Sequence, residues 1–265
     1  MDPSAEIGII GGTGISFSEI FDSSESKKVH TPYGSTSDDV VIGEHKGKSI
    51  AFIPRHGRLH SIPPHKVNSR ANIWALKSLG VSRILAPSAV GSLKDNIQPG
   101  DIVIPNQFID FTKRREYTFY DGRQVCHISS ADPFCSELMQ IASSTANKTG
   151  CRTHINSVYL CIEGPRFSTR AESKFFRENL SADVIGMTVV PECVLAREME
   201  ICYVSLATVT DYDVWSSELV SSKNIIAVVK ENSMKISKLI LEMIPEIPML
   251  RNTCVCPNAL DGAFV

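Results

Sequence analysis

No stretch of this sequence comes near the roughly 20 consecutive apolar residues that a helix needs to cross a bilayer, so no membrane span is expected. A surplus of either charge is also missing. Lys and Arg number 27 against 29 Asp and Glu, a formal net charge of -2, which offers no basic field for nucleic acid or an anionic membrane. The opening residues "MDPSAEIGII" carry acids rather than a basic leader, and glycines end the apolar run too soon for a signal peptide. The N-terminus is not Met-Gly, and the C-terminus bears no prenylation signature. The expectation is a soluble, cytoplasmic protein whose partners are small molecules or further copies of itself. Repeats and low-complexity tracts are absent as well. A single domain over residues 1–265 is therefore expected, closed by a tail from about 246 to 265.

What is present is enough apolar material for one sizeable core, at 43% of 265 residues. It falls into runs at 7–11, 49–54, 83–91, 101–105, 157–165, 183–188 and 203–211. Most are continuous rather than alternating, as in strands buried on both faces. Between them lie three helical patterns. "HKVNSRANIWALKSLG" closes on Gly80, "DPFCSELMQIASSTANKTG" opens with Asp132 before Pro133 and closes on Gly150, and "KNIIAVVKENSMKISKLILEMIP" stops at Pro245. This alternation predicts an α/β sandwich.

The glycine-rich segment "IGIIGGTGIS" lacks the third glycine of a dinucleotide fingerprint, since Phe17 stands where it would fall. It also lacks the P-loop lysine; the first lysine downstream is Lys27. What remains is either a plain turn or a strand end whose backbone N–H groups can face an anion, with Thr13 adding a hydroxyl. In "IPRHGRLHSIPPHK", Arg55 and His56 leave a strand end together, a fork beside an imidazole that suits phosphate. Zinc on His56 and His60 is disfavoured, because prolines 54, 63 and 64 prevent the helix that such spacing requires. "APSAVGSL" offers Ser88 and Ala89 at another strand end, and "VTDYDVW" sets Asp211 and Asp213 two apart on one face of an extended chain. Such a pair can act as acid and base or read donors on a ligand; a capped turn is the alternative.

Seven segments in order, "GIIGGTG", "PRHGR", "KVNSRANIWALK", "IQPGDIVIPNQFID", "IEGPRFSTRAES", "DVIGMTVVPE" and "ATVTDYDVW", resemble the 5′-methylthioadenosine phosphorylases of the trimeric purine nucleoside phosphorylase family, over about residues 6 to 245. The resemblance implies a three-layer α/β sandwich around a central mixed, partly barrelled β-sheet. It implies homotrimers, or hexamers as dimers of trimers, with active sites between neighbouring subunits. It implies phosphorolysis of 5′-methylthioadenosine to adenine and 5-methylthioribose 1-phosphate, with inorganic phosphate as co-substrate and with no cofactor or metal. By motif, Thr13, Arg55, His56, Ser88, Ala89 and Thr188 would hold phosphate, while Met187 would lie against the ribose and Phe167 beside base and sugar. Asp211 would face N7 of the purine and Asp213 the exocyclic amine. The 6-oxopurine branch has Asn in place of Asp211 and Glu in place of Ser168, so both residues point to a 6-aminopurine. His127 from a neighbouring subunit and the helix bearing Ile225 and Ile226 would receive the 5′ group. The alternative is a broader phosphorylase acting on adenosine and possibly inosine; a nucleosidase that uses water is disfavoured by Arg55, His56 and Thr13.

Eight cysteines remain. "TCVCPNAL" sets Cys254 and Cys256 in a proline-flanked tail that reads as exposed, without a core to fill. The tail resembles that of heat-adapted archaeal members, and the resemblance implies a disulfide between Cys254 and Cys256, with Cys135 and Cys202 as candidates for a second. A metal at the tail pair would need further ligands, and none is expected nearby.

Overall fold

The run Ile7–Gly11 forms β1, buried at every position, as a continuous apolar strand requires. In the computed structural model, residues 5–12, 21, 23–216, 222–251 and 253–265 are described, with the backbone alone for 222–227 and 229. The remaining strands are β2 (Ser24–Lys27), β3 (Val40–His45), β4 (Lys48–Pro54), β5 (Arg83–Ser92), β6 (Ile102–Phe111), β7 (Thr153–Ile162), β8 (Val184–Gly186) and β9 (Cys202–Asp211). The helices are α1 (Ser69–Ser78), α2 (Ser136–Thr149), α3 (Arg170–Asn179), α4 (Val189–Glu198) and α5 (Ser222–Met243). No described helix is long and apolar enough to cross a membrane.

The nine strands run in the order β2-β3-β4-β1-β5-β8-β7-β6-β9, and β5 also pairs with β9. That extra pairing closes β5, β8, β7, β6 and β9 into a five-stranded barrel, with the other four strands extending from its side. The expected mixed, partly barrelled sheet is therefore present. β5 carries the closure because "RILAPSAVGS" is buried along nearly its whole length and serves three neighbours. Its first residues lie parallel to β1, its full length parallel to β9, and Gly91 and Ser92 antiparallel to β8.

Alternate residues of this sheet feed two helix layers. Ile84 and Tyr203 join Ile73 and Leu76 of α1 and Leu195 of α4; Leu85 and Val204 join Leu138 of α2 and Leu239 of α5. Along α5, Ile236, Leu239, Ile240 and Met243 are buried at helical spacing, each contributing roughly 1.5–3 kcal/mol by leaving water.

Several elements differ from the sequence expectation. β2 is four exposed polar residues, with nothing apolar to announce it. α3 buries only Ser173 and Phe176, and α4 carries Pro191 in its first turn. β6 runs on to Phe111, and β7 begins at Thr153 rather than 157. α2 starts at Ser136, not behind Asp132. The preceding chain instead sends Phe134 and Cys135 into the core, and the Cys135 N–H donates to the Tyr203 carbonyl at 2.9 Å.

The tail is also corrected. Far from lacking a core, Cys256 is buried and Cys254 packs against the same cluster as α2 and α5. Buried Arg83 donates to the Leu250 carbonyl at 2.9 Å, and Thr253 Oγ1 donates to Glu137 at 2.6 Å. All eight cysteines are free, so neither expected disulfide is present. Nor is the tail pair without potential ligands, because Cys135 and Cys202 lie beside it.

Gly186 shows how tightly the barrel is filled: a Cβ there would sit 1.9 Å from the hydroxyl of fully buried Tyr159, which lies 3.3 Å from Thr188 Oγ1. A side chain at 186 would therefore have to displace the buried Tyr159 ring. Gly186→Ala is expected to cost about 1–3 kcal/mol by overpacking, read by chemical denaturation. Unchanged stability would show that the barrel wall yields.

Candidate active site

A cavity of about 590 Å³ opens at the ends of β1, β4, β5, β8 and β9, where the chain leaves each strand. Its lining gathers Arg55, His56, Ser88, Ala89, Phe167, Ser168, Met187, Thr188, Asp211 and Asp213, all singled out from the sequence. The glycine-rich segment contributes Gly12, where a Cβ would lie 2.9 Å from the Pro87 carbonyl and 3.1 Å from Arg55 Nη1; glycine thus lets three strands converge. Thr13 lies outside the described residues, as do the side chains of Ile225 and Ile226. His127 does not line this cavity. Its N–H donates to the Ala263 carbonyl at 2.7 Å, beside the C-terminal tail.

Arg55 is buried completely, which would expel an unpaired charge. Glu192, equally buried, answers it with two hydrogen bonds, from Nε at 2.5 Å and Nη2 at 3.0 Å, and Nη1 donates to the Pro87 carbonyl at 2.9 Å. Tyr203 Oη donates to Glu192 at 2.9 Å and fixes the carboxylate. Burial opposes the guanidinium charge, but Glu192 more than offsets it, and the pKa of Arg55 is raised. The fork is thus permanently charged and held by three protein contacts before any ligand arrives.

His56 sits beside this charge and is tuned the other way. Burial, and then the adjacent Arg55, lower its pKa to about 4, so the ring is neutral at pH 7. Nδ1 lies 2.8 Å from the Ile62 carbonyl, which can only accept, so Nδ1 carries the proton and Nε2 is left as an acceptor.

The carboxylates come from the end of β9. The register of β5 against β9 slips between Val90 and Gly91, bringing Gly91 opposite Asp211. A Cβ on Gly91 would stand 2.9 Å from Asp211 Oδ1. Asp211 accepts from Thr210 Oγ1 at 2.7 Å and from the Asp213 N–H at 2.8 Å. Burial raises the pKa of both aspartates, and the charge of Asp211 adds to the rise at Asp213. Asp213 adopts a left-handed backbone (φ 50°) that turns the chain sharply, and its Oδ2 is buried without a hydrogen-bond partner among the described residues.

Sequence reasoning missed the residues that hold these groups. Glu192 and Tyr203 are far from Arg55 in sequence, and no local pattern links them to it. Arg115 belongs to none of the motifs, yet it donates to the carbonyls of Ile162, Glu163, Met187 and Val190 and so ties the Met187–Thr188 turn to the end of β7.

The family model of the phosphorylase superfamily matches residues 6–245. S-methyl-5′-thioadenosine phosphorylase from Pyrococcus abyssi is 56% identical over 260 residues, covering 98% of this chain and 99% of the relative. Among solved structures, methylthioadenosine phosphorylase from an antarctic soil metagenomic library superposes with a TM-score of 0.94 at 42% identity, covering 100% of this chain and 93% of that one. A mutant of adenosine/methylthioadenosine phosphorylase from Schistosoma mansoni, in complex with methylthioadenosine, gives 0.86 at 37% identity over 91% of each chain.

The depressed pKa of His56 has a consequence for stability. The unfolded chain protonates this ring near its ordinary value of 6.5 and the folded chain only near 4, so the stabilisation is full above about pH 6.5 and is lost as the pH falls toward 4. Its size is roughly 3 kcal/mol. His56→Gln is expected to lose that much less stability than the parent between pH 7 and 4, measured by denaturant unfolding. Parallel losses in the two proteins would show that His56 is not held neutral.

Proposed function

The chain belongs to the phosphorylase superfamily, and we propose that it cleaves 5′-methylthioadenosine with inorganic phosphate to give adenine and 5-methylthioribose 1-phosphate. One observation carries the reading: a single cavity is lined both by a fixed, permanently charged Arg55 and by two carboxyl groups with raised pKa. The two requirements of phosphorolysis are an anchored dianion and an acid for the leaving base.

In this reading phosphate accepts from Arg55, Ser88, Thr188, the amide of Ala89 and Thr13, and its own hydroxyl donates to Nε2 of neutral His56. A phosphate oxygen attacks C1′ as the C1′–N9 bond breaks on the opposite face, so one bond forms while the other is lost. Negative charge gathers on the purine, and Asp211, protonated more readily than an ordinary carboxyl, gives or shares its proton at N7. Asp213 reads the exocyclic amine, with Ser168 nearby. Met187 lies against the ribose and Phe167 at the mouth. The dianion is both nucleophile and electrostatic partner of the cationic sugar, so the chemistry calls for no cofactor.

The 5′ pocket is completed by the helix bearing Ile225 and Ile226 and by His127 of a neighbouring copy, in a homotrimer or a dimer of trimers. That His127 lies outside the lining of its own chain's cavity supports this arrangement. The broader alternative, with adenosine as an additional substrate, is favoured by the dual name of the Schistosoma mansoni relative.

Adenine release from 5′-methylthioadenosine is expected to require phosphate, and release at equal rates without it would overturn the reading. Comparison with adenosine and inosine reads the breadth; inosine is expected to be the poorest of the three. Asp211→Asn should fold normally and lose about 10²-fold in turnover of 6-amino nucleosides, because an amide cannot protonate N7. Unchanged kinetics would remove Asp211 from the mechanism.

A further inference from the structure

Four of the eight cysteines converge away from the cavity. Cys135 lies at the N-cap of α2, Cys202 at the first position of β9, and Cys254 and Cys256 in the tail. Their sulfur atoms all lie within 4.8 Å of one another. Cys135, Cys202 and Cys256 are buried, and Cys254 is half-buried. We propose that Cys135, Cys202, Cys254 and Cys256 form a tetrahedral thiolate site for one Zn²⁺ ion that fastens the C-terminal tail to the body of the subunit.

The arrangement fits a metal better than two bonds. A disulfide needs two sulfurs about 2.05 Å apart, whereas tetrahedral zinc with Zn–S near 2.3 Å needs sulfurs about 3.8 Å apart. Cys202 and Cys254 Sγ are 3.5 Å apart. That contact joins body to tail, across both of the pairings expected from the sequence, and with all four sulfurs within 4.8 Å of one another they form one cluster rather than those two couples.

The two body ligands are held by the backbone of the subunit core. The Cys135 N–H donates to Tyr203 O at 2.9 Å and the Cys202 N–H to Ser82 O at 3.0 Å, so both sit on hydrogen-bonded backbone. The tail ligands are bracketed by the Arg83–Leu250 and Thr253–Glu137 hydrogen bonds and by the short 3₁₀ turn Cys256–Asn258. Binding is balanced as four thiols plus Zn²⁺ giving the tetrathiolate complex and four protons, with no redox step. Soft sulfur donors in tetrahedral array select zinc over the hard cations.

The test uses the full chain purified under reductant without oxygen. Elemental analysis should find about one zinc per chain, and Co²⁺ in its place should give the visible absorption of a tetrahedral thiolate complex. Four thiols should resist a disulfide reagent until a chelator is added. Cys256→Ser and Cys135→Ser should each lower zinc affinity at least tenfold and lower the melting temperature, while Cys151→Ser, outside the cluster, should keep both. Zinc that fails to bind after reconstitution under reductant, or binds equally well in both cluster variants, would overturn the proposal. So would two disulfides, with no metal, in the reduced preparation.

Discussion

Arg55 and Glu192 form a deeply buried ion pair, each side chain only 1% exposed, and the candidate site is arranged around it. Withdrawing two charges from water costs more than their attraction alone returns unless further hydrogen bonds complete both groups. Here they do: Pro87 takes one guanidinium N–H, and Tyr203 gives its hydroxyl to the carboxylate. Such a pair is weak evidence for stability, and an apolar pair of the same volume could fill the space. What it supplies is direction. A guanidinium clamped along one edge by a bidentate carboxylate keeps its rotation fixed, and its neighbour His56 is left neutral in part because that charge is close.

The pair also ties the fold to the cavity. Arg55 follows β4, Glu192 belongs to α4, Tyr203 to β9 and Pro87 to β5, so one polar knot joins the open sheet, the barrel and a helix layer. Two other devices finish the walls. The bulge at Gly91 brings Asp211 against β5, and Arg115 gathers four carbonyls around the Met187–Thr188 turn. The positions that the proposed reaction assigns to phosphate and base are thereby fixed by strands and buried side chains, which favours catalysis by prior placement.

How much of this the sequence reveals follows from what each residue depends on. β1, β5 and β9 are legible because short continuous apolar runs fit strands buried on both faces. The pocket residues are legible because they stand at strand ends, in segments whose resemblance to known phosphorylases is specific. α3 could have been found from its capping box, Thr169 with Glu172, although its buried stripe is thin. Glu192, Tyr203 and Arg115 could not, since their roles exist only through contacts that the fold creates. Arg55 lies 137 residues from Glu192, and Ile162 lies 47 from Arg115. The cysteines mislead for the same reason. Spacing within the tail shows the short Cys254–Cys256 link, while the fold adds two sulfurs from α2 and β9 that no local pattern announces.

The most direct measurement is the Michaelis constant for phosphate, beside that for nucleoside, in Arg55→Lys. Lysine keeps the charge and can still reach Glu192, but it cannot hold the carboxylate with one edge and present a second edge to an oxyanion. A rise of about tenfold or more for phosphate, with the nucleoside constant within about twofold of the parent, is the expected result. Equal changes in both constants, or none in either, would contradict a phosphate site built on the Arg55–Glu192 pair.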